Sequence, residues 1–466
     1  MGDREGNLWF VMKRSGKRSL PFGMSVGRLA VLALGVCAPL AFWLASSSVP
    51  AHWANWAWLR SAGQVPSVSA AERPALIPHA SSQAESIQLR TLADMSGDPS
   101  PEGRLLDIYR LIGQGDMRGA MSRAQRLTQD VPNFHLGQLV YGDLLMAQAS
   151  PISQMGNVPP ALASKSSERI AQLKLEATRR IAALQERPRV GAIPRQFIAL
   201  PATSRHAIAV DASKSRLYLF ENKGNGLQLA EDHYVSIGKL GAEKNTQGDQ
   251  RTPVGVYYIT SRLEAAQLTD FYGVGALPLN YPNEYDKSLG RTGSGIWLHG
   301  VPKESYSRSP QSTDGCVALA NPELKGIMDQ VAPRTTPVVI ARSLEWIEPQ
   351  AQDGERRSMR NLIEGWRVAR SSGDFNRLMA FYSSKFSSGG KDLSHWRQLL
   401  ERESSNVHNR SFQVKDLAIL AWHDRSDLMV VTFGELPEGD RTGVIKRQYW
   451  TKENGLWKIF FEGVIG

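Results

Sequence analysis

From Ile296 to Leu319 the chain reads IWLHGVPKESYSRSPQSTDGCVAL, two short apolar runs flanking a polar, Pro-containing loop. Ile296, Trp297 and Leu298 read as a buried strand that delivers His299 to its end, where Gly300 lets the backbone turn away. The loop closes on Thr313-Asp314-Gly315-Cys316, after which Val317, Ala318 and Leu319 resume an apolar strand. The pattern demands buried strands, with a histidine at the end of one and a cysteine where a tight turn meets the next.

That is a good place for a nucleophile. A thiol attacks a carbonyl as thiolate, and a nearby imidazole both makes the thiolate and protonates the leaving amine. A glycine before the cysteine gives substrate close approach, and turn amides can point at a developing oxyanion. The competing reading is an inert buried thiol, since free cysteine is among the most buried residue types. Only Cys37 and Cys316 occur in the 466 residues, so no structural bridge leaves Cys316 free. In an oxidising compartment a lone unpaired thiol is a liability unless it works.

This segment resembles the L,D-transpeptidase (YkuD-type) catalytic domain, whose His-Gly and Ser/Thr-His-Gly-Cys-Ile-Arg-Leu signature with a following Asn falls on His299, Gly300, Thr313, Gly315, Cys316, Val317, Leu319 and Asn321. HAIAVDASKSRLYLFEN resembles the family's opening hairpin and GDQRTPVGVYYITS its Thr-Pro-x-Gly strand. Asp314 replaces the motif's His and Ala318 its Arg. An anion beside Cys316 would raise the thiol pKa, so Asp314 is expected to point away or bond elsewhere, as a residue of a favoured Asp-Gly turn.

The resemblance implies that Cys316 is the nucleophile, His299 the general acid/base and Gly315 the oxyanion and turn residue. The substrate would be peptidoglycan stem peptides, attacked at the third residue with loss of the terminal D-Ala and formation of a thioester. Gly300, Thr313, Asp314 and Asn321 are the substrate-binding candidates of the motif. An amine acceptor gives a cross-link. Water gives an L,D-carboxypeptidase or amidase, and a non-enzymatic envelope scaffold with a relic site is the third reading. No metal or other cofactor is implied, because the two residues already form an acyl-transfer pair.

The fold class expected is multidomain α+β. Residues 1–28 form a basic cytoplasmic segment, and 29–59 hold the charge-free run Leu29 to Ala45 followed by Trp53, Trp56 and Trp58. At about 1.5 Å per residue the run covers roughly 25 Å, slightly short of a core about 30 Å thick, and the Trp belt extends it. Its basic flank predicts a single-pass inner-membrane helix with the catalytic part in the periplasm; a cleaved signal peptide is the rival. Residues 60–101 read as a linker.

Residues 102–195 read as a helical, tetratricopeptide-like module, with a break at Gly113 to Asp116, Pro132 before a third helix, and a long amphipathic helix over 167–186 carrying Ile170, Leu173, Leu175, Ile181 and Leu184. RPRVGAIPRQ reads as a Pro-rich joint. Residues 203–343 are expected to form a mainly β catalytic sandwich, Ile208 and Val210 alternating with their neighbours. Its long segment between Leu263 and Gly295 carries Tyr272, Tyr281, Asn283, Tyr285 and Arg291, and either walls the cleft, with Tyr285 and Arg291 on substrate, or pads the surface.

Residues 354–466 place helices before long strands and a Glu-Asn-Gly hairpin turn, an α+β cone that looks nuclear transport factor 2-like. His395, His408 and His423 lack metal-site spacing. The helical and C-terminal domains are expected to meet envelope protein partners. The net charge of +10 comes without basic clusters interleaved with aromatics, which argues against nucleic acid and fits an anionic envelope polymer.

Overall fold

The computed structural model describes residues 98–465 apart from 151, 153, 157–159, 225, 407–410 and 423–426. The expected anchor at 29–59 and most of the linker lie outside these residues. Among the described residues no helix is long and apolar enough to cross a membrane.

Four helices come first: α1 (Pro101–Gly113), α2 (Met117–Asp130), α3 (His135–Ala149) and α4 (Pro160–Gln185). Ser100 caps α1 by accepting from the Gly103 amide, with Pro101 in the first turn, and Asp116 caps α2 through the Gly119 amide. The module's core of Leu105, Ile108, Leu127, Leu136 and Leu144 takes in Leu173, Ile181 and Leu184 of α4. The long helix therefore packs on its own module. Leu175, expected on its apolar face, is 42% exposed, because the buried stripe passes through Leu173, Ala177 and Ile181 instead.

The segment expected to be a mere joint is structural. Strands β1 (Ile193–Pro194) and β2 (Phe197–Ala199) precede the sandwich, and β2 becomes the edge of the C-terminal sheet by pairing with residues 419–420. The sandwich itself contains β3 (His206–Asp211), β4 (Arg216–Asn222), β5 (Leu227–Tyr234), β6 (Ile237–Gly238), β7 (Gly255–Tyr258), β8 (Leu263–Glu264), β9 (Gly275–Pro278), α5 (Glu284–Ser288), β10 (Trp297–His299), β11 (Gln311–Thr313), β12 (Val317–Ala318), α6 (Asn321–Gln330) and β13 (Pro337–Ala341). One sheet runs β5-β4-β3-β13-β7 and the other β12-β10-β9-β8, with β6 and β11 paired between the site's loops. Ile208, Val210, Leu217, Leu219, Val338 and Ile340 meet Leu277, Leu298 and Val317 across the sandwich core.

The five-stranded sheet is apolar on both faces. Ala207, Ala209, Tyr218, Phe220 and Val339 point away from the sandwich core and pack on Leu420, Trp422, Val430 and Tyr449 of the C-terminal domain. The expected alternation at β3 is thus replaced by burial throughout, which the unbroken Leu217 to Phe220 run of β4 also shows.

After β14 (Trp346–Ile347) come α7 (Asp353–Ser372), α8 (Phe375–Met379), β15 (Ser387–Ser388), β16 (Lys391–Asp392), α9 (Leu393–Asn406) and the meander β17 (Phe412–Ala421), β18 (Leu428–Pro437), β19 (Val444–Glu453) and β20 (Leu456–Val464). The turn between β19 and β20 holds Asn454 and Gly455 at positive φ, as the Asn-Gly pair requires. Ile419, Met429, Val431, Phe433 and Trp450 on one face of this sheet close over Met359, Ile363 and Trp366 of α7. The opposite face meets the catalytic sheet.

Candidate active site

The registry of β10 against β12 builds the site. The strands run parallel with Leu298 opposite Val317 and His299 opposite Ala318. Leu298 and Val317 point into the sandwich core, so His299, and Cys316 just before β12, emerge on the other face of the same two strands. The pair named from sequence is brought to one side of the sheet, on neighbouring strands.

His299 is 1% exposed. Its Nδ1 lies 2.7 Å from the Gly300 carbonyl oxygen, which only accepts, so Nδ1 carries the proton and the neutral ring offers Nε2 as base. Phe271 stacks on the imidazole at 5.9 Å and Tyr272 meets it edge-on at 5.2 Å. Burial drives its pKa down to about 4, the hydrogen bond to Gly300 opposing and Arg308 assisting. The imidazole is neutral at physiological pH.

Cys316 is partly exposed and its Sγ donates to the Gly295 carbonyl at 3.2 Å. Burial pushes the thiol up and Asp314 adds to this, while the Trp297 backbone amide, Arg308 and Lys244 pull it back. The resting pair is therefore thiol and neutral imidazole, and proton transfer has to accompany attack.

Gly315 sits at φ 127°, and a Cβ there would lie 2.7 Å from the Arg251 carbonyl oxygen. No other residue fits the turn. Its amide is spent on Thr313 Oγ1 at 3.1 Å, and that hydroxyl in turn donates to the Cys316 carbonyl at 2.6 Å. Gly315 is thus a turn residue whose amide is committed, while the Cys316 amide has no acceptor among the described hydrogen bonds. Thr313 is buried in the turn rather than facing substrate.

Asp314 points away from the thiol, with its carboxylate on Lys239 at 2.9 Å and on Gln250 at 3.2 Å. Four further substrate candidates serve the fold. Asn321 accepts from the Val274 and Val301 amides and donates to the Val301 carbonyl, and Gly300 leaves room for that side chain, which a Cβ would approach to 2.1 Å. Tyr285 is buried against Trp422 of the C-terminal domain, ring centroids 4.8 Å apart. Arg291 is bound to buried Asp286 at 2.8 Å. Neither expected use of that segment holds for Tyr281, Asn283 and Tyr285, which are buried, whereas Tyr272 stands at the histidine.

Phe271 and Arg308 went unnoticed in the sequence. Arg308 lies in the loop between the two motif halves, its guanidinium 4.3 Å from the Phe271 ring centroid. The signal was the position of an arginine between His299 and Cys316.

Residues 205–340 match the family model of the YkuD L,D-transpeptidase catalytic domain, and residues 358–463 that of the Cds6 C-terminal NTF2-like domain. No curated protein matches the chain. Among solved structures, Bd1075 of Bdellovibrio bacteriovorus is similar at 27% identity and TM-score 0.51, covering 59% of this chain and 98% of that one. The helical cell shape determining protein Pgp2 of Campylobacter jejuni aligns at 19% identity and TM-score 0.47, over 60% of this chain and 96% of its own. With its motif strands, dyad and turn in this arrangement, the chain carries an L,D-transpeptidase catalytic domain of the YkuD type joined to a Cds6-type NTF2-like domain.

Proposed function

We propose that the protein modifies peptidoglycan by L,D-transpeptidation through a thioester on Cys316. The observation that carries this reading is the common face of His299 and Cys316 on paired strands, with Nε2 free as base. As Cys316 Sγ bonds to the carbonyl carbon of the third stem residue, its proton passes to His299 Nε2. The oxyanion forms at the Cys316 amide. Collapse breaks the C–N bond, and the departing D-Ala amine takes the proton from His299. An acceptor amine then attacks the thioester, loses a proton to His299, and releases the thiol that His299 reprotonates. Chain cross-linking is the product.

The same thioester opened by water would make the protein an L,D-carboxypeptidase. Ala318 favours this second reading, for it stands buried where the motif has Arg, its backbone tied to Ser236, and offers an acceptor nothing. The full chain incubated with tetrapeptide muropeptides decides: an acyl adduct absent in Cys316→Ala, and dimers, support the first reading; shortened stems support the second. No adduct in the wild type refutes both. His299→Gln should lower acylation by roughly 100-fold or more.

The membrane-bound, periplasmic location remains part of this proposal, supported by the apolar Leu29 to Ala45 run and its basic flank. Protein partners in the envelope would meet the helical or C-terminal domain.

A further inference from the structure

We propose that Arg308 binds the free carboxylate of the stem peptide's terminal residue, and that the helical module exists in part to hold it there. This rests on the peptidoglycan reading above and names what that site selects. The carboxylate of the leaving residue lies two bonds beyond the scissile nitrogen. A cation that reads it must stand beside both the nucleophile and the acid that protonates that nitrogen.

Arg308 meets this condition. It is half-buried over Phe271, the ring that stacks on His299, and its charge is felt by both the imidazole and the thiol. Two other cations near the thiol are already committed: Lys244 to Asp249 at 2.8 Å and Lys239 to Asp314 at 2.9 Å. Among the described residues Arg308 has no carboxylate partner, and its one side-chain hydrogen bond goes to the Phe271 carbonyl at 3.4 Å. Asp314, bound to Lys239, is felt by Arg308 only at longer range and makes no ion-pair contact with it. A partly desolvated guanidinium without a contacting carboxylate, beside a reacting centre, is matched by one.

Its backbone is fixed from both sides. Tyr234 Oη donates to the Arg308 carbonyl at 2.9 Å from the sheet. From the helical module, the Asn133 carbonyl accepts from the Tyr306 amide at 3.0 Å, the Phe134 and Tyr306 rings lie 4.6 Å apart, and Glu176 accepts from Ser307 Oγ at 2.7 Å. A flexible loop would waste the cation's energy on ordering; this one is ordered beforehand.

The test compares a stem tetrapeptide with its C-terminal amide, following adduct formation on the full chain. Wild type should favour the acid by roughly 10- to 100-fold in rate, the range of one charge-assisted contact. Arg308→Ala should bring that ratio close to one, and Arg308→Lys should restore part of it. Because each protein supplies its own ratio, partial misfolding cancels. Equal use of acid and amide by wild type, or an unchanged ratio in Arg308→Ala, overturns the role of Arg308 and leaves the acyl-transfer reading standing. Absence of adduct from either peptide in wild type overturns both.

Discussion

The catalytic domain is gripped by two neighbours in opposite ways. The C-terminal domain lays one apolar sheet face on another, with Trp422 set so closely over β7 that a Cβ on Gly255 would lie 2.2 Å from its indole. The helical module docks largely through buried charge: Glu102 of α1 receives Arg180 of α4 at 2.7 Å and Arg216 of β4 at 2.9 Å, and Arg216 continues to Asp232 at 2.5 Å. Apolar contact is insensitive to pH and strong per unit area. Buried ion networks contribute little net stability but fail sharply when one member is lost or neutralised. One attachment makes a single body with the catalytic sheet, and the other is conditional while touching the loop that bears Arg308.

The comparison breaks first at Trp422. Trp422→Ala removes the indole from a core shared by two domains and should cost about 4 kcal/mol, melting the catalytic and C-terminal domains together in calorimetry. Separate transitions would show that the shared core does not couple them. Glu102→Gln should cost less, about 2 kcal/mol, because Arg180 keeps Glu176 and Arg216 keeps Asp232. The loss should appear as faster amide exchange in α1 and α4 with β17 to β20 unchanged.

Acid should act selectively on the charged attachment. Burial opposes ionisation of Glu102, but Arg216 and Arg180 outweigh it and hold the carboxyl at about 2. A depressed carboxyl contributes stability that is present above its unfolded value near 4.5 and is lost as pH falls from there towards 2. Two neighbours act in the reverse sense. Burial lifts Glu323, and His233 is raised by Glu231 and Glu323 against its burial. Raised groups bind protons more readily when folded, so theirs is a contribution gained on mild acidification and lost as pH rises. Protease protection of the helical module should therefore hold to about pH 5 and collapse below 4, while the apolar contact between the C-terminal and catalytic sheets carries no such dependence. Inside the C-terminal domain, the burial of Glu462 is outweighed by Lys446 and Arg370, which hold it low, so its contribution is lost in the same direction. For the site itself, neutral His299 predicts an acylation rate flat from about pH 6 to 8 and falling only towards pH 4. A fall centred near pH 6.5 would mean that the imidazole is not buried in the working enzyme.

Much of this was legible in the chain. The apolar runs around His299 and Cys316, the break at Gly113 to Asp116 and the Asn454-Gly455 turn each depend on neighbours within a few residues, and periodicity and turn chemistry report those directly. Long-range pairings were not legible. Nothing local says that Phe197 leaves the joint to pair with Leu420, or that Ala207 and Ala209 face another domain rather than water. Tyr285 and Arg291 had the composition of a substrate wall, yet their partners Trp422 and Asp286 decide their use. Asp314 was readable as a turn residue because its chemistry beside a thiol left it little else. Arg308 needed the helical module to give it a place.

The smallest expected effect sharpens the contrast most, because it asks whether the conditional attachment reaches the chemistry. Ser307→Ala removes one hydrogen bond between the active-site loop and Glu176, a carboxylate that keeps Arg180, so stability should fall by only about 1 kcal/mol. The dyad is untouched, since His299 and Cys316 are positioned by β10 and β12 and not by the loop. What loosens is the placing of Arg308 one residue on. The KM for the acid peptide should then rise about threefold with kcat unchanged, as expected when an ordered contact must be ordered on binding, and the amide peptide should show no change. A fall of equal size for acid and amide would place the loop's influence on His299, through Phe271, and would make the helical module a support for the dyad instead of for substrate choice.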